Sequence, residues 1–253
     1  MKENLDLAPA AELLAQTKRV AVLTGAGISA ESGIPTFRGE EGLWKKYRAE
    51  ELATPGAFHR DPKLVWEWYD WRRGIFATKE PNPGHQVIAR WEHIFPSFSL
   101  ITQNIDGLHK RAGSTNILEL HGSSWKLRCT EEGTVTENFD VPLRKIPPLC
   151  PSCGALLRPH VVWFGESLDS NIIQKASLLS AACEVMIVAG TSAVVQPAAS
   201  LPLAALNGGA KVMEINPEPT PLTAYVDYSF RGKSGEILSL LDAGLQNILN
   251  QKE

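Results

Sequence analysis

The chain has 253 residues, 43% hydrophobic and 21% charged, a composition typical of a globular protein with one substantial core. Its formal net charge of −3 argues against a nucleic-acid-binding surface, which needs an excess of basic residues. No apolar run reaches the roughly 20 residues that span a bilayer, and residues 1–6 resemble neither a signal core nor an Arg-rich transit peptide. We therefore expect a cytoplasmic protein without membrane or nucleic-acid partners. Its four cysteines argue against a disulfide framework and leave metal binding open.

Four apolar runs have the pattern of buried β-strands, and helical patterns lie between them. The strands are predicted at residues 18–24, 97–102, 184–189 and 211–215. Asp61 before Pro62 and Asn82 before Pro83 are typical helix starts. Further helices are predicted over residues 169–182, 197–206 and 236–249. This alternation predicts an α/β fold with a doubly wound, Rossmann-like parallel sheet, in which ligands bind beyond the carboxyl ends of the strands.

Two stretches interrupt the alternation. Residues 39–79 are helical and aromatic without a clear strand, and residues 126–158 are irregular, rich in Pro, and contain three of the four cysteines. We predict that these two insertions together form a smaller helical and zinc-knuckle module. The Rossmann-like domain would then comprise residues 1–38, 80–125 and 159–253. The sequence does not determine the oligomeric state, for which a monomer is the default expectation.

A glycine-rich turn, Gly25-Ala26-Gly27, follows the first predicted strand and precedes a helix. Glycines let main-chain N–H groups approach a phosphate, and a helix N-terminus favours negative charge. The spacing departs from G-x-G-x-x-G because the next glycine, Gly33, comes late, which disfavours a hydride-transfer dehydrogenase. By itself the loop is equally compatible with a simple tight turn. The adjoining run from Ile34 to Gly39 contains Pro, Phe and Arg, which indicates a segment that folds over a cofactor.

Polar residues follow other predicted strands. Asn104 and Asp106 come after the second strand, where a ligand crevice is expected, although such a pair is more often a turn or helix cap. His121 follows the short apolar stretch 117–120 and titrates near neutral pH, so it could accept a proton. Its position alone favours a hydrogen-bonded structural histidine.

One predicted helix carries Tyr69 and Arg72, three residues apart and therefore on one face. A hydroxyl and a guanidinium placed in this way can bind a carboxylate, with Arg binding it bidentately. The residues alone favour the alternative, an aromatic helix that packs on the core while its arginines are solvated.

Cys150 and Cys153, followed by Gly154, have the form of a zinc knuckle. The alternative, a redox C-x-x-C motif, would normally open a helix after a strand, whereas two prolines precede this pair. Cys129 offers one further thiol, and Cys183, just before a predicted buried strand, is expected in the core.

Five motifs in one order give the chain a specific resemblance to the sirtuins, the NAD-dependent protein deacylases. They are GAGISAESGIPTFRG from Gly25, Gln103-Asn104-Ile105-Asp106, Leu120-His121-Gly122, Val162-Trp163-Phe164-Gly165-Glu166 and Gly190-Thr191-Ser192. The resemblance extends from about residue 18 to about residue 241. It implies removal of acyl groups from protein lysines, with NAD consumed and nicotinamide and O-acyl-ADP-ribose released.

The resemblance also implies roles for individual residues. His121 would be the catalytic base and Asn104 would assist at the nicotinamide ribose. The residues that would contact NAD are Gly25, Ala26, Gly27, Ile28, Glu31, Thr36, Phe37, Arg38, Trp44, Gln103, Asn104, Ile105, Asp106, Gly190, Thr191, Ser192, Asn216, Pro217, Glu218 and Ser234. Residues 162–166 would pair as a strand with the substrate peptide, with Val162, Phe164 and Gly165 in contact.

Tyr69, Arg72 and the small residue Ala53 match the subgroup of sirtuins that removes malonyl, succinyl and glutaryl groups. The resemblance therefore implies a preference for acyl groups that end in a carboxylate, with weaker deacetylation. It also implies structural zinc bound by Cys129, Cys150 and Cys153. Sirtuins usually carry two cysteine pairs, and here the first is incomplete, so Glu131, Glu132 or water would be the fourth ligand, or the metal would be absent.

Two other functions share these features. An NAD-dependent ADP-ribosyltransferase would use the same cofactor site and His121 without needing Tyr69 and Arg72. A non-catalytic NAD-sensing or zinc-mediated interaction module would not need His121, Asn104 and Asp106, whose presence argues against it.

Overall fold

The computed structural model describes residues 6–35 and 49–251. Six parallel strands form the main sheet: β1 Arg19–Thr24, β2 Ser97–Thr102, β3 Ile117–Glu119, β7 Val185–Ala189, β8 Lys211–Ile215 and β9 Tyr228–Phe230. Their order across the sheet is β3-β2-β1-β7-β8-β9. The sheet has the Rossmann-like, doubly wound form predicted from the sequence, and all four long strands lie within one residue of their predicted positions.

Helices cover both faces of this sheet, as the alternation of side chains along β1 shows. Val20 and Val22 pack in one apolar cluster, whereas Ala21 and Leu23 pack in another on the opposite face. The helices that contribute to the first cluster are α1 Ala8–Leu14, α2 Ala26–Ala30, α6 Pro83–Ile94 and α10 Ser234–Asn250, and those of the second are α8 Ser170–Ala182 and α9 Leu201–Asn207. None of the described helices is both long and apolar enough to cross a membrane.

Side-chain caps begin the helices where the sequence predicted. The carboxylate of Asp61 accepts the main-chain N–H of Leu64, and Asn82 forms a reciprocal capping box with His85. Asp169 caps α8 in the same way. The helix predicted at 197–206 instead begins with a short 3-10 turn, Ala198–Ser200, before α9.

A second, antiparallel sheet forms the smaller module together with the helices of the first insertion. Its order is β5-β4-β6, with β4 Gly122–Cys129, β5 Val135–Glu137 and β6 Leu157–Val161. The helices are α3 Ala49–Leu52, α4 Pro55–Arg60 and α5 Pro62–Ala77. The prediction that residues 126–158 are irregular is therefore wrong for these strands. The sequence does not mark these strands, because β4 mixes buried and partly exposed positions, β5 is a short exposed strand and β6 contains Pro159. The exact domain bounds remain a prediction.

Arg73 of α5 joins the two insertions. Its guanidinium is buried and donates to the main-chain oxygens of Ser124, Asn138 and Asp140. It also lies 5.2 Å from the centre of the Trp125 ring. The alternative prediction for α5, in which its arginines are solvated, is wrong for this residue, because main-chain oxygens replace water at its two terminal nitrogens. Its Nε atom has no partner among the described residues.

Candidate functional site

The carboxyl ends of four neighbouring strands form one edge of the main sheet. Gly25 after β1 donates its N–H to Ala189 at the end of β7, at 3.1 Å, and Gln103 after β2 donates to Thr24 at 3.0 Å. Gly190 after β7 donates to Ile215 at the end of β8, at 2.9 Å. The loops that the sequence predicted around a cofactor therefore meet in space, as parallel strands require.

The two glycine loops pack main chain against main chain. The N–H of Gly27 donates to the oxygen of Gly190 at 2.7 Å. A Cβ atom on Gly27 would come within 2.7 Å of the Gly190 Cα, and one on Gly25 within 2.7 Å of the Thr191 Cβ. These glycines are therefore needed for contact between the β1 and β7 loops, a reason that the sequence alone did not indicate.

Ser29 of α2 links the polar residues after β2 to the glycine loop. The Nδ2 atom of Asn104 donates to the main-chain oxygen of Gly25 at 3.0 Å and to the Ser29 hydroxyl at 3.2 Å. That hydroxyl donates to Asp106 Oδ2 at 2.8 Å. Asp106 Oδ1 also accepts the main-chain N–H of Leu108, the first residue of helix α7, Leu108–Arg111. Asp106 therefore closes a turn before this helix and also anchors Ser29, and burial raises the pKa of its carboxyl.

Two buried histidines lie behind this network. The rings of His85 and His109 are 4.7 Å apart, and His85 Nε2 lies 3.4 Å from the Ser29 hydroxyl. His109 Nε2 lies 2.9 Å from the hydroxyl of Thr24. Burial lowers the pKa of His85 to about 4 and that of His109 well below its usual value. Both rings are thus neutral at physiological pH, and neither was singled out from the sequence.

His121 lies between the end of β3 and the start of β4. Its Nδ1 atom is 2.9 Å from the main-chain oxygen of Gln103. A carbonyl only accepts, so Nδ1 carries the proton of the neutral ring and Nε2 carries the lone pair. Burial lowers the pKa of this histidine. The same hydrogen bond that holds the His121 ring thus leaves its Nε2 atom unprotonated.

Side chains of three loops interlock around the same edge. Gln103 Nε2 donates to the Thr191 hydroxyl at 2.9 Å, and Asn216 Nδ2 donates to the Thr191 oxygen at 3.0 Å. Ser192 is partly exposed beside Thr191, and Pro217 and Glu218 are exposed after β8. The main-chain oxygen of Glu218 accepts from the Arg231 guanidinium, so the loop is anchored.

The N-terminus of α10 lies beside the end of α2, the helix that follows the glycine loop. The Glu31 carboxylate accepts the N–H of Gly235 at 2.7 Å. Ser234 is 2% exposed, and its hydroxyl has no hydrogen-bond partner among the residues described. A buried hydroxyl at the N-terminus of a long helix, without a partner, fits an anionic or polyhydroxyl ligand.

A cavity connects the network around Asn104 to helix α5. Arg72 is partly buried, with its guanidinium 4.9 Å from the Trp68 ring centre and 5.2 Å from that of Phe76. The residues that line the cavity are Ala26, Ser29, Ile34, Pro35, Arg72, Asn104, Ile105 and Asp106. Arg72 therefore reaches the same space as the residues predicted around the nicotinamide ribose. Thr36, Phe37, Arg38 and Trp44, also predicted as cofactor contacts, lie outside the described residues.

Tyr69, one turn before Arg72, is buried in the core of the smaller module. Its hydroxyl accepts the indole N–H of Trp163 at 3.0 Å. Burial raises the pKa of Tyr69 to about 12, while the nearby Arg72 guanidinium opposes the shift. Ala53 is buried in the same apolar cluster as Tyr69.

Residues 162–166 follow strand β6, and Phe164 and Gly165 within them form a turn. The N–H of Val162 donates to the oxygen of His121 at 3.0 Å, and that of Phe164 donates to the oxygen of Ala53 at 2.9 Å. Phe164 is 49% exposed, and Gly165 adopts a positive φ of 89°. The N–H groups of Val162 and Phe164 are thus bonded within the chain, and main-chain pairing of residues 162–166 with a substrate peptide stays a prediction.

Three cysteines and one carboxylate converge in the smaller module. The ligand atoms of Cys129, Glu132, Cys150 and Cys153 all lie within 4.8 Å of one another. Three thiolates and a carboxylate are zinc ligands, so the cluster fits a structural zinc ion, in which Glu132 would supply the fourth ligand that the cysteine pattern lacks. The Ser152 hydroxyl donates to the second carboxylate oxygen of Glu132 at 2.9 Å, which orients it. Cys183 lies in the core, as predicted.

The profile of the Sir2 family matches residues 25–197. The chain belongs to the Sir2 family. An NAD-dependent protein deacylase from Aquifex aeolicus is 57% identical over 215 residues, which cover 85% of this chain and 90% of the relative. NAD-dependent protein deacylase 1 of Archaeoglobus fulgidus is 53% identical, with 90% of this chain and 93% of the relative covered. The sirtuin resemblance seen in the sequence is thereby confirmed.

Solved Sir2 structures share the fold over almost the whole chain. The crystal structure of a Sir2 homologue–NAD complex has a TM-score of 0.93 at 48% identity and covers 98% of this chain and 96% of that one. A Sir2–p53 peptide–NAD⁺ complex has a TM-score of 0.84 at 32% identity, with 94% and 97% covered. In this Sir2 protein, the Ser234 hydroxyl, which has no partner within the described part of the chain, and the polar groups at the strand ends fit NAD.

Sequence reasoning missed several residues of this Sir2 site. Ser29 bonds to Asp106 and Trp163 bonds to Tyr69, both predicted site residues, and His85 lies 3.4 Å from Ser29, yet none of the three was assigned a role. Ser29 stands within the glycine-rich run, so its place one turn into α2 was an available signal. His85 and Trp163 act across helices and strands distant in sequence, and only the fold brings them to the site.

Proposed function

We propose that this protein removes acidic acyl groups, such as succinyl and malonyl, from protein lysines in an NAD-dependent reaction. NAD-dependent protein deacylation as such is the activity named for relatives that are 57% and 53% identical, and it rests on family membership. The preference among acyl groups, and the roles of single residues, are the parts that we propose.

One observation supports the acidic preference above the others. Arg72 lines the cavity that also contains Asn104 and Asp106, and the buried Tyr69 lies on the same helix face. An acyl chain that reaches the ribose region would then end beside a guanidinium. An arginine can bind a terminal carboxylate with two parallel hydrogen bonds, whereas an acetyl group offers no such partner.

Within this proposal the chain's own groups have distinct tasks. NAD, when bound, supplies a ribose carbon whose nicotinamide is a good leaving group. Asn104 is fixed by its bonds to Gly25 and Ser29, so its side-chain oxygen can accept from a ribose hydroxyl. His121 Nε2 holds the lone pair that accepts a hydroxyl proton. The buried surroundings exclude water and position the reactants.

The test compares kcat/KM for succinyl- and acetyl-lysine peptides of one sequence, in the wild-type protein and in Arg72→Met. A lost charge-assisted pair predicts that the succinyl-to-acetyl ratio falls about 10- to 100-fold in the variant. Arg60→Met, which changes an exposed arginine of the same module, is the matched control and should keep the wild-type ratio.

Two results would contradict the proposal. If wild-type protein turned over the acetyl peptide as well as the succinyl peptide, or if Arg72→Met reduced both equally, the acidic preference would be wrong.

Mass spectrometry of the same reactions identifies the reaction type. A peptide that loses its acyl group supports deacylation, whereas one that gains ADP-ribose supports the transferase. The cytoplasmic location and the monomeric state remain predictions.

A further inference from the structure

Trp163 connects the segment 162–166 to Tyr69, which lies one turn before the cavity-lining Arg72 on the same helix. Its indole N–H donates to the hydroxyl of Tyr69 at 3.0 Å, and its ring packs 5.2 Å from that of Phe58. Trp163 and Tyr69 are both 2% exposed. A buried hydrogen bond between two aromatic side chains fixes the position of both, because neither can turn to water for another partner.

The other end of Trp163 is held by an ion pair. Arg158 donates two parallel hydrogen bonds to the Glu166 carboxylate, from Nη1 to Oε1 at 2.6 Å and from Nη2 to Oε2 at 2.8 Å. Glu166 Oε2 also accepts the main-chain N–H of Trp163 at 2.8 Å, and the Arg158 guanidinium lies 3.5 Å from the centre of the indole ring. The indole is therefore fixed from its main chain and from one face.

The bond to Trp163 determines what the Tyr69 hydroxyl can do. A phenol has one proton to donate, and since its oxygen here accepts from the indole, that proton remains for another acceptor. Burial raises the pKa of Tyr69 to about 12, so the proton is retained at physiological pH. Arg72 lies one turn further along the helix and its charge acts on Tyr69. A carboxylate that binds Arg72 is the acceptor that this geometry fits.

We infer that Trp163 is a positioning residue for acyl specificity, which directs the Tyr69 hydroxyl toward the terminal carboxylate of the acyl chain. The inference rests on the proposed preference for acidic acyl groups. Through Trp163, the turn predicted to contact the peptide and the residues predicted to bind the carboxylate form one rigid unit. Acyl recognition would thus depend on a residue outside the Tyr-x-x-Arg pattern.

The test is the ratio of kcat/KM for succinyl and acetyl peptides in Trp163→Phe, which keeps an aromatic ring and removes the N–H. Loss of one neutral hydrogen bond predicts that the ratio falls about fivefold, mainly through a higher KM for the succinyl peptide. The same substitution made in a Tyr69→Phe background should change the ratio less than twofold, because the partner hydroxyl is gone.

Trp66→Phe is the matched control. Its indole N–H is also buried and donates to the Leu157 main-chain oxygen at 2.7 Å, so this variant removes an equivalent bond elsewhere in the module. We expect it to lower the melting temperature while keeping the wild-type ratio. An equal loss of ratio in Trp66→Phe and Trp163→Phe, or additive effects of Trp163→Phe and Tyr69→Phe, would overturn the inference.

Two outcomes distinguish an error in the role of Trp163 from an error in the proposed acyl preference. If Arg72→Met lowers the succinyl-to-acetyl ratio and Trp163→Phe does not, the carboxylate site stands and Trp163 has only a packing role. If the wild-type protein itself shows no preference for the succinyl peptide, the proposed function fails and this inference fails with it.

Discussion

The Nδ1 atom of His121 donates its proton to the main-chain oxygen of Gln103, 2.9 Å away. This bond leaves Nε2 as the basic nitrogen. Only the neutral ring can accept a proton, and burial lowers the pKa of His121 below 6.5. We therefore predict that kcat/KM is constant near neutral pH and falls on the acidic side, with a midpoint below pH 6.5.

His121→Gln should lower kcat about 100-fold or more, the usual contribution of a general base. His59→Gln, an exposed histidine, is the control and should keep the wild-type profile. The pH profile of peptide turnover is the measurement. An acidic midpoint clearly above pH 6.5, or an unchanged profile in His121→Gln, would show that another group is the base.

Glu132 should be required for zinc binding. Its carboxylate lies within 4.8 Å of the thiols of Cys129, Cys150 and Cys153. Removal of a direct ligand in Glu132→Ala should weaken zinc binding at least about tenfold and lower the melting temperature, because zinc stabilises the folded state. Glu131→Ala, its exposed neighbour, is the control.

Glu132→Cys should bind zinc more tightly than wild type, since thiolate is the softer ligand. Zinc content by elemental analysis and competition with a chelator measure both effects. Full zinc occupancy and wild-type affinity in Glu132→Ala would mean that another group is the fourth ligand.

Gly27 should not tolerate a side chain. A Cβ at this position would lie 2.7 Å from the Cα and main-chain oxygen of Gly190, and neither loop can move without disturbing the strand ends. We expect Gly27→Ala to cost about 1–3 kcal/mol in free energy of unfolding and to weaken NAD binding.

Gly74→Ala is the matched control for Gly27. It lies within α5, and no atom of the described residues is within 4 Å of the added Cβ, so the substitution should stabilise the protein by about 0.5–1 kcal/mol. Urea unfolding and NAD titration of both variants are the measurements. Equal stability of the two variants would contradict close packing of the two loops.

The buried His85 should make stability depend on pH. Its pKa is about 4 in the folded protein and near 6.5 when unfolded, so below pH 6.5 only the unfolded chain takes up this proton. The stabilisation is complete above pH 6.5 and is lost as the pH falls toward 4, by up to about 1.4 kcal/mol per pH unit.

His85→Gln should therefore show a smaller loss of stability between pH 7 and pH 5 than wild type. Urea unfolding at the two pH values gives the difference, and His59→Gln again provides the exposed control. If the pH dependence of His85→Gln equals that of wild type, His85 is not the group that resists protonation.

The sequence by itself determined the four long strands of the main sheet and the loops that meet at its carboxyl edge. Strands such as 97–102 were predicted to the residue because a buried parallel strand is an uninterrupted apolar run, and Asp61 and Asn82 marked their helices because a cap is a local interaction. The polar residues at the strand ends could be grouped for the same reason, since parallel strands bring their carboxyl ends to one edge.

Only the tertiary structure decided which groups contact one another across the chain. The antiparallel strands of the smaller module escaped prediction because half-exposed strands with charges and Pro159 lack a distinct pattern. Glu132 rather than Glu131 faces the cysteines, and Trp163 meets Tyr69 from 94 residues away. Such contacts depend on packing between elements distant in sequence, and local patterns of residues carry no information about that packing.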